Sequence, residues 1–302
     1  MGRIFTTGET TFDIVFKNNQ PHKAIIGGSS LNTSVSLGRL KLPVCFISRI
    51  SKDHIGEMSM TFLTDNHVNC ENVVRYKDKS RLSIAFLDSD NNAEYQFYNP
   101  KTFPSLKYPQ VKCGDYLLFG SSNAIMDEGR ENLICFLEKA YQENVIIIYD
   151  PNIRKSDSYI KEKAEVNMKY ASIIKASVQD FINLYDISDC EMIWEKVNGF
   201  GVNTLILTDG EKPVSVFSYG FKKKYDIQAI ETVSTIGAGD NFSAGLLAGF
   251  YYSKINKRSI KLLEEKQWDK IINLSISFSS EVCKSEMNYI SDEYAREIAL
   301  RF

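Results

Sequence analysis

Between residues 115 and 210 the chain repeats one pattern: a short uninterrupted apolar run, a polar break, then a segment with apolar residues at helical spacing. The runs are "DYLLFG" (115–120), "NVIIIYD" (144–150), "ASIIKA" (171–176) and "NTLILTDG" (203–210). The segments between them include "DEGRENLICFLEKAYQE" (127–143), a stretch over 159–170 and "VQDFINLY" (178–185), and a long helix is expected from Ala238. A run such as "VIIIY" has no polar alternation, so both faces of that strand must be buried. Strands of this kind separated by helices pair in parallel through right-handed crossovers. The expected fold is therefore α/β, a doubly wound, mostly parallel sheet flanked by helices, as one domain over residues 1–302.

Residues 71–99 break the pattern. "NVVRY", "LSIAFLDSD" and "AEYQFY" are three strand-like runs joined by polar turns, including "DSDNN", with no helix between them. They predict a small antiparallel sheet outside the main stack. Such a sheet either packs as an inert extension or covers the crevice where open α/β sheets bind ligands, beyond the carboxyl ends of their strands.

A formal net charge of -2, from 36 basic and 38 acidic residues in 302, gives no broad field for nucleic acid or an anionic membrane. Phosphate binding must then be local. No apolar run approaches the ~18 residues needed to span a bilayer, and the N-terminal "MGRIFTTGETTFDIVF" reads as a strand without signal-peptide features, so a cytoplasmic protein is expected. Six scattered cysteines without a C-x-x-C pair predict buried thiols and no disulfide or zinc site. The three histidines have no ligand spacing.

"TIGAGDNFSAG" (235–245) carries the chemistry. A helix N-terminus offers unpaired N–H groups and positive potential, and Gly237 and Gly239 leave the backbone bare for an anion. Asp240 in the first turn is placed to accept a proton from an attacking hydroxyl. Alone, the same residues fit a tight turn and a plain helix cap. A second strand-to-helix turn, "IIGGSSLNTSVSLGRL" (25–40), puts Gly27 and Gly28 before a helix that carries Asn32. Asp13 follows an apolar strand. Asp13, Gly28 and Asn32 together supply an acceptor, a bare backbone and an amide, a set suited to the adjacent hydroxyls of a polyol.

These segments resemble the ribokinase-like, or PfkB, carbohydrate kinases, in order along essentially the whole chain. "GETTFD" (8–13), "GGSSLN" (27–32), "FISRISKDHIG" (46–56), "DPNIR" (150–154) and "GAGD" (237–240) carry the resemblance, and "DPNIR" is similar to fructokinase-like members. It implies an enzyme that transfers the γ-phosphoryl group of ATP, with Mg2+, to a sugar hydroxyl. It makes Asp240 the general base and the Gly237, Ala238 and Gly239 amides the anion hole. Asp13, Gly27, Gly28, Asn32 and Arg154 then face the sugar. Ser177, Thr208, Gly210 and Asn273 border the nucleotide, and Asp180 reaches Mg2+ through water. The 71–99 strands become a lid, through which a homodimer forms.

Three positions depart from that family. Ser177-Val178-Gln179-Asp180 replaces Asn-x-x-Glu, Ser234-Thr235 replaces the Asp-Thr whose carboxylate belongs to a monovalent-cation site, and Pro213 ends the nucleotide-loop run "TDGEKP". Two other readings follow: a sugar- or nucleotide-binding regulator without catalysis, or a nucleoside kinase with Phe97 and Tyr98 stacking on a base. Retention of Asp240 argues against the first.

Overall fold

The computed structural model describes residues 2–87 and 93–302; the predicted "DSDNN" turn lies outside the described residues. The N-terminal part runs β1 (Ile4–Thr7), β2 (Thr11–Lys17), β3 (Gln20–Gly27), α1 (Ser29–Arg39), β4 (Val44–Ser51), α2 (His54–Asp65), β5 (Val73–Tyr76), β6 (Leu82–Leu87) and β7 (Ala93–Tyr98). Alternation follows with β8 (Tyr116–Gly120), α3 (Arg130–Gln142), β9 (Ile146–Asp150), α4 (Ser158–Met168), β10 (Ile173–Ser177), α5 (Val178–Tyr185), α6 (Cys190–Asn198) and β11 (Thr204–Asp209). The chain ends with β12 (Lys212–Ser218), β13 (Phe221–Tyr225), α7 (Ala238–Tyr252), α8 (Glu265–Cys283) and α9 (Asp292–Ala299). None of the described helices is long and apolar enough to cross a membrane.

The main sheet has nine strands in the order β13-β12-β11-β10-β9-β8-β1-β4-β5. From β11 to β5 every pair is parallel; β12 and β13 extend it antiparallel. Each apolar run divides its side chains between the two faces, as the absence of polar alternation requires. Ile146 and Ile148 join the core beneath α1, α7 and α8, while Ile147 and Tyr149 join the one beneath α3, α4, α5 and α6. Each such buried side chain contributes roughly 1.5–3 kcal/mol, so both cores hold the central strands in register. Strand order reverses around β1, which lies between β8 and β4. A crevice opens at such a reversal, beyond the carboxyl ends of the strands.

The second sheet has the order β3-β2-β6-β7: two antiparallel hairpin pairs joined by a parallel β2–β6 contact. This corrects the strand inventory expected at 71–99. Val73–Tyr76 is the edge strand of the main sheet, parallel to β4, and the small sheet recruits β2 and β3 from before α1. The apolar run of β5 finds a partner on β4, whereas β6 follows β2 from Phe12 opposite Leu82 to Lys17 opposite Leu87. Such a pairing joins segments some 70 residues apart, which local pattern cannot show.

The thiols also differ from expectation. All six are free, but Cys45 alone is buried; Cys113 and Cys135 are exposed and the rest are half-buried. In α3, Leu133, Phe136 and Leu137 face the core, which turns Cys135 outward.

Candidate active site

Two helix N-termini converge on the crevice. α7 starts from Gly237, whose φ of 83° is left-handed and whose place a Cβ could not take, since it would fall 2.6 Å from the Asn288 carbonyl oxygen. α1 starts from Gly28 at φ 120°, where a Cβ would fall 2.3 Å from the Glu9 carbonyl oxygen. The two helices are tied directly: Thr33 Oγ1 donates to the Asp240 carbonyl oxygen (2.9 Å) and Ser36 Oγ to Asn241 Oδ1 (2.5 Å). Small residues along α1 allow that approach.

This arrangement fixes Asp240. Ser29 Oγ donates to its Oδ1 (2.6 Å) and Asn32 Nδ2 to its Oδ2 (2.8 Å). Its carboxylate lines a cavity of about 1060 Å3 bounded by both sheets. The Ala238 amide closes a turn onto the Thr235 carbonyl (3.2 Å), while the Gly237, Gly239 and Asp240 amides have no acceptor among the described residues. Unpaired amides at the positive end of a helix dipole make an anion pocket.

At one end of the cavity lie Glu9, Thr11, Asp13, Arg81, Ser83, Phe97 and Arg154. Asp13 is held by Thr11 Oγ1 (2.9 Å). Burial pushes its carboxyl above the usual range, against the pull of hydrogen bonds from Thr11 and Ser83 and of the Arg154 charge. Gly27 does not line the cavity itself; a Cβ there would come 2.4 Å from Asp13 Oδ2, so its bare backbone makes room for that carboxylate. Asn32 is buried, with its amide committed to Asp240 and its Oδ1 without a partner among the described residues. The Arg81 and Arg154 guanidinia stand 5.3 and 6.0 Å from the Phe97 ring centre.

At the other end, Thr208 and Gly210 line the wall with Val214, Ile227, Ile276 and Ser280. Asn273 does not: it is exposed on α8, one turn before Ile276, and the face turned to the cavity starts at Ile276 and continues through Ser279, Ser280 and Cys283. That placement departs from the sequence expectation, because the helix reaches the cavity only over its last two turns. Ser177 and Asp180 line the middle, where they form a capping box at the start of α5. Asp180 Oδ2 accepts from the Ser177 amide (2.7 Å) and hydroxyl (2.6 Å), and Oδ1 from the Ile153 amide (2.6 Å). Among the described residues no cluster of three or more His, Cys, Asp or Glu is arranged to hold a metal. The donors fit a hard cation held mainly by phosphate oxygens and water with a carboxylate at its margin, the usual setting of Mg2+ beside a nucleotide.

Sequence reasoning assigned no role to Glu9, whose buried Oε2 lacks a partner among the described residues, or to Lys175. Lys175 is 4% exposed on β10 and bonds Asp150 Oδ2 at 2.8 Å. A lone lysine inside "SIIKAS" was the available signal, since lysine is almost never fully buried without a partner.

An open α/β sheet with a proton acceptor beside an anion pocket describes the phosphotransferase class of site. Residues 3–262 match the pfkB family of carbohydrate kinases, and the chain belongs to that family. It is 26% identical over 253 residues to a probable chloroplastic fructokinase-6 of Arabidopsis thaliana, covering 79% of this chain and 66% of that protein. Its fold is similar to a double-mutant fructokinase from Vibrio cholerae O395 in fructose-, ADP- and potassium-bound form (TM-score 0.85, 18% identity, 98% of each chain). It is similar also to the aminoimidazole riboside kinase of Salmonella enterica complexed with aminoimidazole riboside and an ATP analogue (TM-score 0.83, 17% identity, 99% of this chain and 100% of that one).

Proposed function

We propose that the protein transfers the γ-phosphoryl group of ATP to a sugar hydroxyl, with a fructokinase-like acceptor. The observation that carries this reading is the Asp240 carboxylate, fixed by Ser29 and Asn32 beside the unpaired amides of Gly237 and Gly239 in a cavity of about 1060 Å3, large enough for two reactants. Phosphoryl transfer asks the protein chiefly for alignment, charge neutralisation and a proton acceptor.

The acceptor occupies the end with Asp13, Glu9, Gly28, Asn32 and Arg154, its hydroxyl toward Asp240. Asp13 and Glu9 accept from ring hydroxyls. ATP enters between Thr208, Gly210 and the apolar wall, its γ-phosphate at the N-terminus of α7. The hydroxyl oxygen bonds to the γ-phosphorus, the bond to the β–γ bridging oxygen breaks with its electrons leaving on ADP, and the hydroxyl proton passes to Asp240. Mg2+, when bound, offsets phosphate charge; Asp180 and Ser177 would face it through water. The small sheet acts as a cover over the acceptor. Tyr98, exposed on its outer strand and outside the cavity lining that includes Phe97, supports a second copy meeting there, which light scattering tests. A cytoplasmic setting belongs to the same reading.

The fructokinase names among similar proteins favour a free sugar over a nucleoside. ADP release measured against ketohexoses, aldohexoses, pentoses, sugar acids and nucleosides tests this. Turnover with fructose and not with nucleosides is expected; the reverse order overturns the acceptor assignment. Asp240→Asn is expected to lower kcat by about 10² to 10⁴, as loss of a general base does, with sugar affinity by calorimetry little changed. Near-normal turnover would remove Asp240 from the role.

A further inference from the structure

Lys175 sits where neither a stabilising nor a solvating role accounts for it. Its side chain is 5% exposed and its partner Asp150 11% exposed. A buried ion pair is weak as a source of stability, because desolvation of both charges offsets their attraction. The pair is anchored on three elements: Lys175 on β10, Asp150 at the end of β9, and Ser243 of α7, whose Oγ donates to Asp150 Oδ2 at 3.0 Å. Asp150 takes one of the three donors that an ammonium carries.

The remaining donors have a definite destination. A Cβ built on Gly239 would lie 3.2 Å from Lys175 Nζ, and among the described residues that ammonium is the one atom such a Cβ would meet within 4 Å. Lys175, Gly239 and Asp240 share the cavity wall. Lys175 Nζ therefore stands beside Gly239, within the anion pocket.

We infer that Lys175 contacts the migrating phosphoryl group, its ammonium donating to a phosphoryl oxygen beside the amides of α7, with Asp150 and Ser243 as positioning residues that aim it. This rests on the phosphoryl-transfer reading above. The one proton released in the step is that of the acceptor hydroxyl, which passes to Asp240. Charge neutralisation by a preorganised cation in a dry site acts on the transition state more than on bound ATP.

Lys175→Met alone strands the Asp150 charge and is expected to destabilise the fold. The informative variant is therefore Lys175→Met with Asp150→Asn, compared with Lys175→Arg and wild type. Melting temperature, ADP and sugar affinity by calorimetry, and single-turnover transfer are measured on each. The double variant is expected to fold with sugar affinity within about threefold of wild type, yet to lose about 10²- to 10³-fold in kcat, the scale for one oxyanion-hole donor. Lys175→Arg, which retains the charge, is expected to recover part of that loss. Formation of a stable ternary complex with ADP, aluminium fluoride and sugar should fail in the double variant alone. A folded double variant with wild-type turnover overturns the assignment. So does a double variant that does not fold beside a Lys175→Met protein that turns over normally. A wild-type protein that releases no ADP with any acceptor overturns the kinase reading, and this inference with it.

Discussion

On the proposed reading of Asp13 as an acceptor for sugar hydroxyls, this single residue couples binding to pH. Its carboxyl is raised above its ordinary value of 3.8 by burial, so it takes up a proton at a higher pH than an exposed aspartate would. Only the ionised form is a pure acceptor for sugar hydroxyls. As pH falls through the raised value, KM for the acceptor is expected to rise while KM for ATP holds. Asp13→Asn should remove that acid limb in an initial-rate pH profile; survival of the limb would assign it to another group. A raised carboxylate pKa has the opposite consequence for stability, since the contribution is present at low pH and is lost as pH rises through the folded-state value. Asp13→Asn is thus expected to raise the melting temperature at neutral pH while it weakens sugar binding. Of this, the residue type and the position after a strand were legible in "GETTFD". Thr11 lies two residues back on the same strand, but the burial of Asp13 and the Ser83 hydroxyl beside it arise from pairing of β2 with β6 and are not encoded locally.

At the scale of elements, the site depends on how α7 begins. Gly237 and Gly239 look alike in "GAGD" but differ physically. Gly237 holds a left-handed φ of 83° against the Asn288 backbone, whereas Gly239 is helical and meets only the Lys175 ammonium. Gly237→Ala is expected to cost at least the ~1–3 kcal/mol of a non-glycine residue held left-handed, with the clash against the Asn288 backbone added, and to lower the melting temperature with activity. Gly239→Ala should keep or gain stability, as alanine favours a helix, but slow turnover by crowding the ammonium. Thermal denaturation beside kcat separates the two; equal losses of stability would contradict the difference in geometry. The capping box Ser177–Asp180 carries a similar lesson. Its spacing, read through the family resemblance, pointed to a metal contact, and the same two residues close the start of α5, with Asp180 oxygens already engaged. Local sequence names such a motif and supplies Ser177 to one Asp180 oxygen, but the partner of the other oxygen comes from the Ile153 turn.

For the whole molecule, the two sheets divide the labour. The nine-stranded sheet supplies strand ends and helix N-termini, and the small sheet brings Ser83 and Phe97 to the cavity wall, at the end proposed above for the acceptor. A sugar bound alone is expected to slow amide hydrogen exchange in β6 and β7, and a non-hydrolysable ATP analogue alone to leave them unchanged. Exchange slowed only by the nucleotide would place the acceptor elsewhere. The continuous apolar strands, their alternation with helices and the "GAGD" turn determined the doubly wound core and the position of the anion pocket, because buried strands and helix starts are written in short-range pattern. Tertiary structure alone decided that β5 belongs to the main sheet, that β2 and β3 complete the small sheet, that Asn273 points away, and that Lys175 reaches α7. Those depend on which strand ends meet at the crevice, and strands far apart in the chain meet there only once the entire sheet has closed around β1.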